Sequence, residues 1–324
     1  SRLQGHVARE TRLAIGHFLS PRNFPSPMII IQPAPVVWTQ WLLPRNINFM
    51  PNSPAFDPAR LDAEDPPAVT RLNPNGRPRF VLTCDHASRA VPRHMDGLGL
   101  ADGDLRRHIA WDIGAAEVTR QAAEHLDAPA FLAGYSRLVI DCNRPLTSPT
   151  SIPRSSDGSE IPANRAVSAA EAAARAESLF WPYHRQISGT LDRLLAAAEI
   201  PLYVALHSFT PQLNGGQARP WHIGLLWEHD GRLVAPLRAA FSALVPGIRI
   251  GENEPYAIVG PSDYSIPEHG QNRGLPHIEI EIRQDLIDSP EGARLWAGRI
   301  ADALQTALDD HGPFEMLPPV KHDV

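Results

Sequence analysis

Asp85 and His86 directly follow the apolar, β-favouring run Val81-Leu82-Thr83-Cys84. A buried strand that ends in small polar residues is where α/β enzymes place their chemistry. An imidazole at such a point can ligate a metal or move a proton, or it can close the strand as a hydrogen-bonded histidine. His207 stands in the same relation to the almost wholly apolar residues 202–206. The stretch His277-Ile278-Glu279-Ile280-Glu281-Ile282-Arg283 alternates strictly. In a strand this puts His277, Glu279, Glu281 and Arg283 on one face and the isoleucines on the other. Carboxylates on a strand face are costly unless that face meets water, a cation or a metal. The pattern suits either a wet edge strand or a general base next to a metal-activated water.

Asp112 follows Trp111 where a helical pattern is under way. It is a third ligand or a carboxylate placed favourably at a helix start. Asn143-Arg144, with Arg137 before them, suits bidentate binding of a substrate carboxylate, or salt bridges to Asp141 and other acids. Zinc enzymes commonly take three protein ligands and leave the fourth position to water. The chain has no H-E-x-x-H helix and no C-x-x-C pair, and Ser208 lacks a nucleophile-elbow context. Metal chemistry would therefore need residues delivered to one rim by separate strands.

The frame for such delivery is legible. Strands are expected at 80–84, 135–142, 202–206, 223–227, 248–251 and 277–282. Helices are expected at 105–126, from Ser168 to about residue 199, at 231–244 and at 290–311. Ser168 and Glu171 have capping-box spacing, and Pro182 implies an interruption or a restart. The polar segments 146–167 and 252–274 are long enough to be lids or binding loops. Strands alternating with helices imply one α/β domain with a mixed, mainly parallel sheet flanked by helices.

The bulk properties narrow the class. A formal charge of −6 with scattered arginines does not suit a nucleic-acid partner. No apolar run is long enough to span a bilayer, so no membrane partner is expected. Two cysteines in 324 residues make no disulfide scaffold and point to a reducing, cytoplasmic setting. Residues 1–75 differ from the rest. Prolines punctuate 24–35, and Met50 opens a stretch that reads like the start of an ordinary protein. The expectation is a poorly ordered or loosely attached extension over 1–75, with 1–49 lying upstream of the protein proper, and a hydrolase domain over 76–324.

Several segments, taken in order, resemble the N-formylglutamate amidohydrolase family. They are Cys84-Asp85-His86-Ala87-Ser88, His108-Ile109-Ala110-Trp111-Asp112-Ile113-Gly114-Ala115, the run from Tyr135 to Pro145, Ser156-Asp157-Gly158, Tyr183-His184, Leu206-His207-Ser208-Phe209 and Glu279-Ile280-Glu281-Ile282-Arg283. The resemblance covers roughly 78–310. It implies a zinc carboxypeptidase-like fold and metal-assisted hydrolysis of the amide of a small N-formyl or other N-acyl amino acid, such as N-formylglutamate, in histidine catabolism. It implies Zn2+ or another divalent metal on His86, Asp112 and His207, with Asp85 as alternative ligand or as the group that orients His86. Glu281 would be the general base, with Glu279 as the alternative, and Arg137, Asn143 and Arg144 would bind substrate. A hydrolase of a different amide or small peptide, and a non-catalytic binding protein keeping the fold, are the competing readings.

Overall fold

The computed structural model describes residues 55–320. The extension expected over 1–49 lies outside the described residues.

The strands are β1 (Val69–Leu72), β2 (Phe80–Cys84), β3 (Ala130–Ala133), β4 (Ser155–Ser156), β5 (Ser159–Glu160), β6 (Leu202–Phe209), β7 (Ile223–Leu226), β8 (Ile250–Glu252) and β9 (His277–Arg283). The hairpin β4–β5 stands apart, and the others form a seven-stranded sheet in the order β1-β3-β2-β6-β9-β7-β8. Pairing is parallel for β3–β2, β2–β6, β6–β9 and β7–β8, and antiparallel for β1–β3 and β9–β7. The helices are α1 (Asp102–Leu105), α2 (Ala115–Leu126), α3 (Ala169–Arg175), α4 (Trp181–Ala196), α5 (Val234–Leu244) and α6 (Pro290–His311). This is the expected mixed, mainly parallel α/β domain.

The pleat divides the core. Leu82, Val204, Leu206 and the three β9 isoleucines pack on one face with α2, α5 and α6. Val81, Phe131, Tyr203 and Ala205 face the other way, toward Tyr183, Ile187 and Leu191 of α4. Each alternate residue of the central strands is thus committed to one side. The chemistry lies on the α4 side, where the strands run out.

Three expectations are corrected, and one open alternative is decided. Residues 135–142 form turns, and the strand lies just before them at Ala130–Ala133. Leu138, Val139 and Ile140 are buried without joining a ladder. Side chains satisfy their carbonyls instead: Asn164 Nδ2 donates to Leu138 O at 2.7 Å and Arg175 Nη1 to Val139 O at 2.8 Å. The helix expected over 105–126 begins only at Ala115. Before it, Gly114 holds φ +81°, and a Cβ there would lie 2.2 Å from Ile287 O. The boundary at 75 cuts off β1, whose four residues pair with β3. Phe56 is also buried, and its N–H donates to Glu171 Oε1 at 3.0 Å. A short edge strand behind Pro66 and Pro67 leaves little sequence signal. Last, β9 is no wet edge: it lies between β6 and β7, and Glu279 and Glu281 are buried.

The segment between α3 and α4, Ala176–Phe180, winds as a π-turn ahead of Pro182, which gives the expected restart. Ser168 Oγ accepts from Glu171 N at 3.1 Å, but Glu171's carboxylate turns to Arg175 rather than back to the cap.

Candidate active site

His86 lies two residues beyond β2. Its carbonyl accepts a hydrogen bond from Asp112 N at 2.9 Å, which fixes the turn before α2 against the strand end. His207 lies near the end of β6, on the same face as Tyr203 and Ala205. Parallel pairing sets Glu281 of β9 directly beside it. The C-terminal ends of β2, β6 and β9 thus deliver these groups to one rim.

The Nδ1 atoms of both imidazoles turn to one carboxylate oxygen. Asp112 Oδ2 lies 3.3 Å from His86 Nδ1 and 2.8 Å from His207 Nδ1. Ser208 N–H also donates to this oxygen, at 3.3 Å. The far nitrogens meet carboxylates too. His86 Nε2 lies 2.7 Å from Asp141 Oδ1, and His207 Nε2 lies 3.3 Å from Asp85 Oδ2. With a cation among them, each imidazole would keep its proton on Nε2, toward the carboxylate behind it, and turn its Nδ1 lone pair inward. Two ring nitrogens converging on one carboxylate oxygen in a buried place suit such a cation. One ligand atom each from His86, Asp112 and His207 lies within 4.8 Å of the others. Two imidazoles and a carboxylate are a zinc-type donor set. Asp85 thus serves His207 rather than His86, held by Tyr183 Oη, which donates to Asp85 Oδ1 at 2.7 Å. Asp141 takes the orienting place expected for Asp85.

Electrostatics follow from burial and neighbours. Burial pushes both Glu279 and Glu281 up to about 8, although the His207 charge opposes the shift. Their Oε2 atoms are buried and have no hydrogen-bond partner. Asp141 is held well below the usual carboxylate range, because Arg137 and His86 outweigh its burial. Burial would lower His207, but Glu279, Asp112 and Asp85 outweigh it and raise the imidazole well above its ordinary value.

A cavity of about 540 Å³ opens over this centre. His108, Ser156 and Asp157, Tyr256 and Asp263 contribute to its wall with the groups above. Ser156 and Asp157 come from the hairpin in the long loop expected to form a lid or binding segment. Arg137, Asn143 and Arg144 all line the cavity. Arg137 is paired with Asp141 at 2.7 Å and brings Nη1 to 3.9 Å from Asp112 Oδ1. Asn143 is already committed: its Oδ1 accepts from Tyr264 N at 3.1 Å and Ser265 N at 2.9 Å. Its side chain anchors a loop, a role the sequence did not disclose.

Residues 79–288 match the family described as N-formylglutamate amidohydrolase. The chain belongs to the N-formylglutamate amidohydrolase family. This is a family of hydrolases acting on amide C–N bonds. Among solved structures, a gene product of Agrobacterium tumefaciens is 33% identical, with a TM-score of 0.73, covering 78% of this chain and 98% of its own. The N-formylglutamate amidohydrolase of Ralstonia eutropha JMP134 is 17% identical, with a TM-score of 0.56, covering 75% of this chain and 97% of its own. At that identity it shows a shared fold. No curated protein matches the chain.

Within this amidohydrolase family member, the groups that sequence reasoning missed are Asp141 as the partner of His86 and Asp263 as the partner of Arg144. Asp141 had a signal, since it lies four residues after Arg137 and two before Asn143. Asp263 had none: it is one acid in a polar loop.

Proposed function

We propose that this protein hydrolyses the amide of an N-formyl or other small N-acyl amino acid, with a divalent metal, zinc by its donor set, held by His86, Asp112 and His207. The observation that carries this is the convergence of two buried Nδ1 atoms and one carboxylate oxygen, with a carboxylate behind each imidazole. When bound, such a metal supplies Lewis acidity to the carbonyl and lowers the pKa of the attacking water.

The chain's own residues do the rest. Glu281 takes a proton from the attacking water and returns it to the leaving nitrogen as the C–N bond breaks, giving the acid and the free amine. Glu281 rather than Glu279 suits this because of where each carboxylate sits. Glu279 Oε2 lies 3.9 Å from His207 Nε2, the edge turned away from Asp112, whereas Glu281 feels Asp112 and Arg137. Arg137 presents N–H groups beside Asp112 to the reacting oxygen, and Arg144 binds the substrate's α-carboxylate. Asn143 positions Arg144's wall.

No helix among the described residues is long and apolar enough to cross a membrane. Cys84 and Cys142 are buried free thiols, which supports a reducing compartment such as the cytoplasm. The test is a panel of N-formyl and N-acetyl amino acids assayed side by side with metal-loaded and chelated protein. Metal-dependent release of amine is expected. Elemental analysis of His207→Ala should show loss of bound metal; full metal content would remove His207 from the site.

A further inference from the structure

The arginines around the cavity are not equivalent. Asp141 fills the Nε–Nη2 edge of Arg137, at 3.0 Å and 2.7 Å. Arg144 Nη1 donates to Asp263 Oδ1 at 2.7 Å and to Asn143 O at 2.9 Å. Arg107, beyond the hairpin, is paired with Asp104 and Asp157. Arg219 is the exception. Among the described residues it forms no ion pair, and both its side-chain hydrogen bonds use Nη1, to Tyr256 Oη at 2.9 Å and to Thr210 O at 3.3 Å.

The fold holds that side chain against the wall. The strand β6 runs out at Phe209, and the chain turns back so that Arg219 N donates to Pro211 O at 2.8 Å. The guanidinium carbon lies 4.7 Å from the centroid of the Tyr256 ring, a cation–π distance. Thr210 and Tyr256 both line the cavity. Arg219 is half-buried, and its charge reaches His108 and Glu281, which line the cavity too. With Nη1 spent on the wall, the Nε–Nη2 edge is left, the planar fork that fits a carboxylate side-on. A cation kept half-buried without an acid leaves its desolvation uncompensated until an anion arrives.

We propose that Arg219 is a specificity-determining residue, whose Nε–Nη2 edge takes a carboxylate at the end of the substrate's side chain while Arg144 takes the α-carboxylate. This rests on the amidohydrolase reading above and deepens it. A site that donates hydrogen bonds to one substrate group discriminates against the analogue lacking it, because its donors are then left unpaired.

N-formyl-L-glutamate and N-formyl-L-glutamine share a side-chain shape and differ in its terminal charge. With the metal-loaded full chain, kcat/KM for the glutamate derivative should exceed that for the glutamine derivative by about tenfold or more. Arg219→Gln should bring the ratio to within about threefold, mainly through a raised KM for the glutamate derivative. The ratio is taken within one preparation, so a partly folded variant does not disturb it. Arg219→Lys keeps a charge and loses the fork, and its ratio should fall between the two. A wild type without the preference overturns the proposal. So does a ratio unchanged in Arg219→Gln, which an α-carboxylate contact or a merely structural role would give. If neither compound is cleaved although metal is bound, the amidohydrolase reading fails. Calorimetric binding of the same pair then decides the role of Arg219: tighter binding of the glutamate derivative that Arg219→Gln abolishes supports it, and any other result overturns it.

Discussion

His86 Nε2 lies 2.7 Å from Asp141 Oδ1, and this contact decides which nitrogen faces the centre. Asp141 also accepts from Asn143 N at 2.8 Å and pairs with Arg137, so it does not swing. Carboxylates behind metal-ligating imidazoles fix the tautomer and raise ligand basicity. Asp141→Asn should weaken zinc binding by roughly 10- to 100-fold while the fold persists. Competition against a chelator of known affinity would measure it, and an unchanged zinc affinity would remove Asp141 from that role.

Glu281→Gln should bind metal normally and lose turnover by roughly 10²- to 10⁴-fold, the usual range for a positioned acid–base group. Glu279→Gln should bind metal and lose clearly less. Steady-state kinetics with elemental analysis separates the two. The reverse order of losses would pass the base assignment to Glu279.

How much of this was readable from the residues varies by segment. The β9 pattern was legible because a period of two survives when one face meets an apolar core and the other a polar centre: Ile278, Ile280 and Ile282 lie in the core, and Glu279 and Glu281 face the cavity. His86, Asp112 and His207 were legible as candidates because apolar strand runs precede the histidines. Residues 135–142 misled for the opposite reason. Leu138-Val139-Ile140 reads as a strand, yet its burial depends on Asn164 and Arg175, partners distant in sequence. Asp85 reaches His207 rather than its neighbour His86, and Asp141 takes His86 while keeping a pairing with Arg137, because adjacency in the chain says nothing about which carboxylate a ring nitrogen will reach.

Arg175 itself gives a stability prediction. It is fully buried, and it donates to Val139 O and Asn164 Oδ1 at 2.8 Å and to Glu171 Oε1 at 2.6 Å. Arg175→Met would keep the stem's packing, leave Val139 O without its guanidinium donor and Asn164 Oδ1 likewise, and leave the Glu171 carboxylate without its cation, with the Phe56 N–H as its remaining donor. Breaking a buried pair in this way typically costs about 3–5 kcal/mol. Chemical denaturation should show a loss of that order. A loss below about 1 kcal/mol, the usual worth of an exposed pair, would mean the network is solvated.

The buried carboxylates predict an unusual pH dependence for the chelated protein. Glu279 and Glu281 have an unfolded-state value near 4.5 and are pushed up to about 8 by burial in the folded protein. Between those values the folded state holds protons that the unfolded state releases, so stability falls as pH rises. His86 and His207, raised by their carboxylate neighbours against the effect of burial, act in the same direction above 6.5. His94, His108, His184, His222, His269 and His277 are lowered, chiefly by burial, and oppose this until the unfolded imidazoles have lost their protons, about one unit above 6.5. The clean window is therefore about pH 7.5 to 8. There the chelated protein should lose stability at up to about 1.4 kcal/mol per pH unit for each proton held. Zinc should flatten the slope, because a cation beside the carboxylates favours their ionised form. Glu281→Gln should reduce it, since the amide does not titrate. Denaturant midpoints of wild type, chelated and zinc-loaded, and of the chelated variant at about pH 7.5 and 8 measure all three effects. A chelated protein whose stability is level or rising across that window would show that these carboxylates are ionised without a metal.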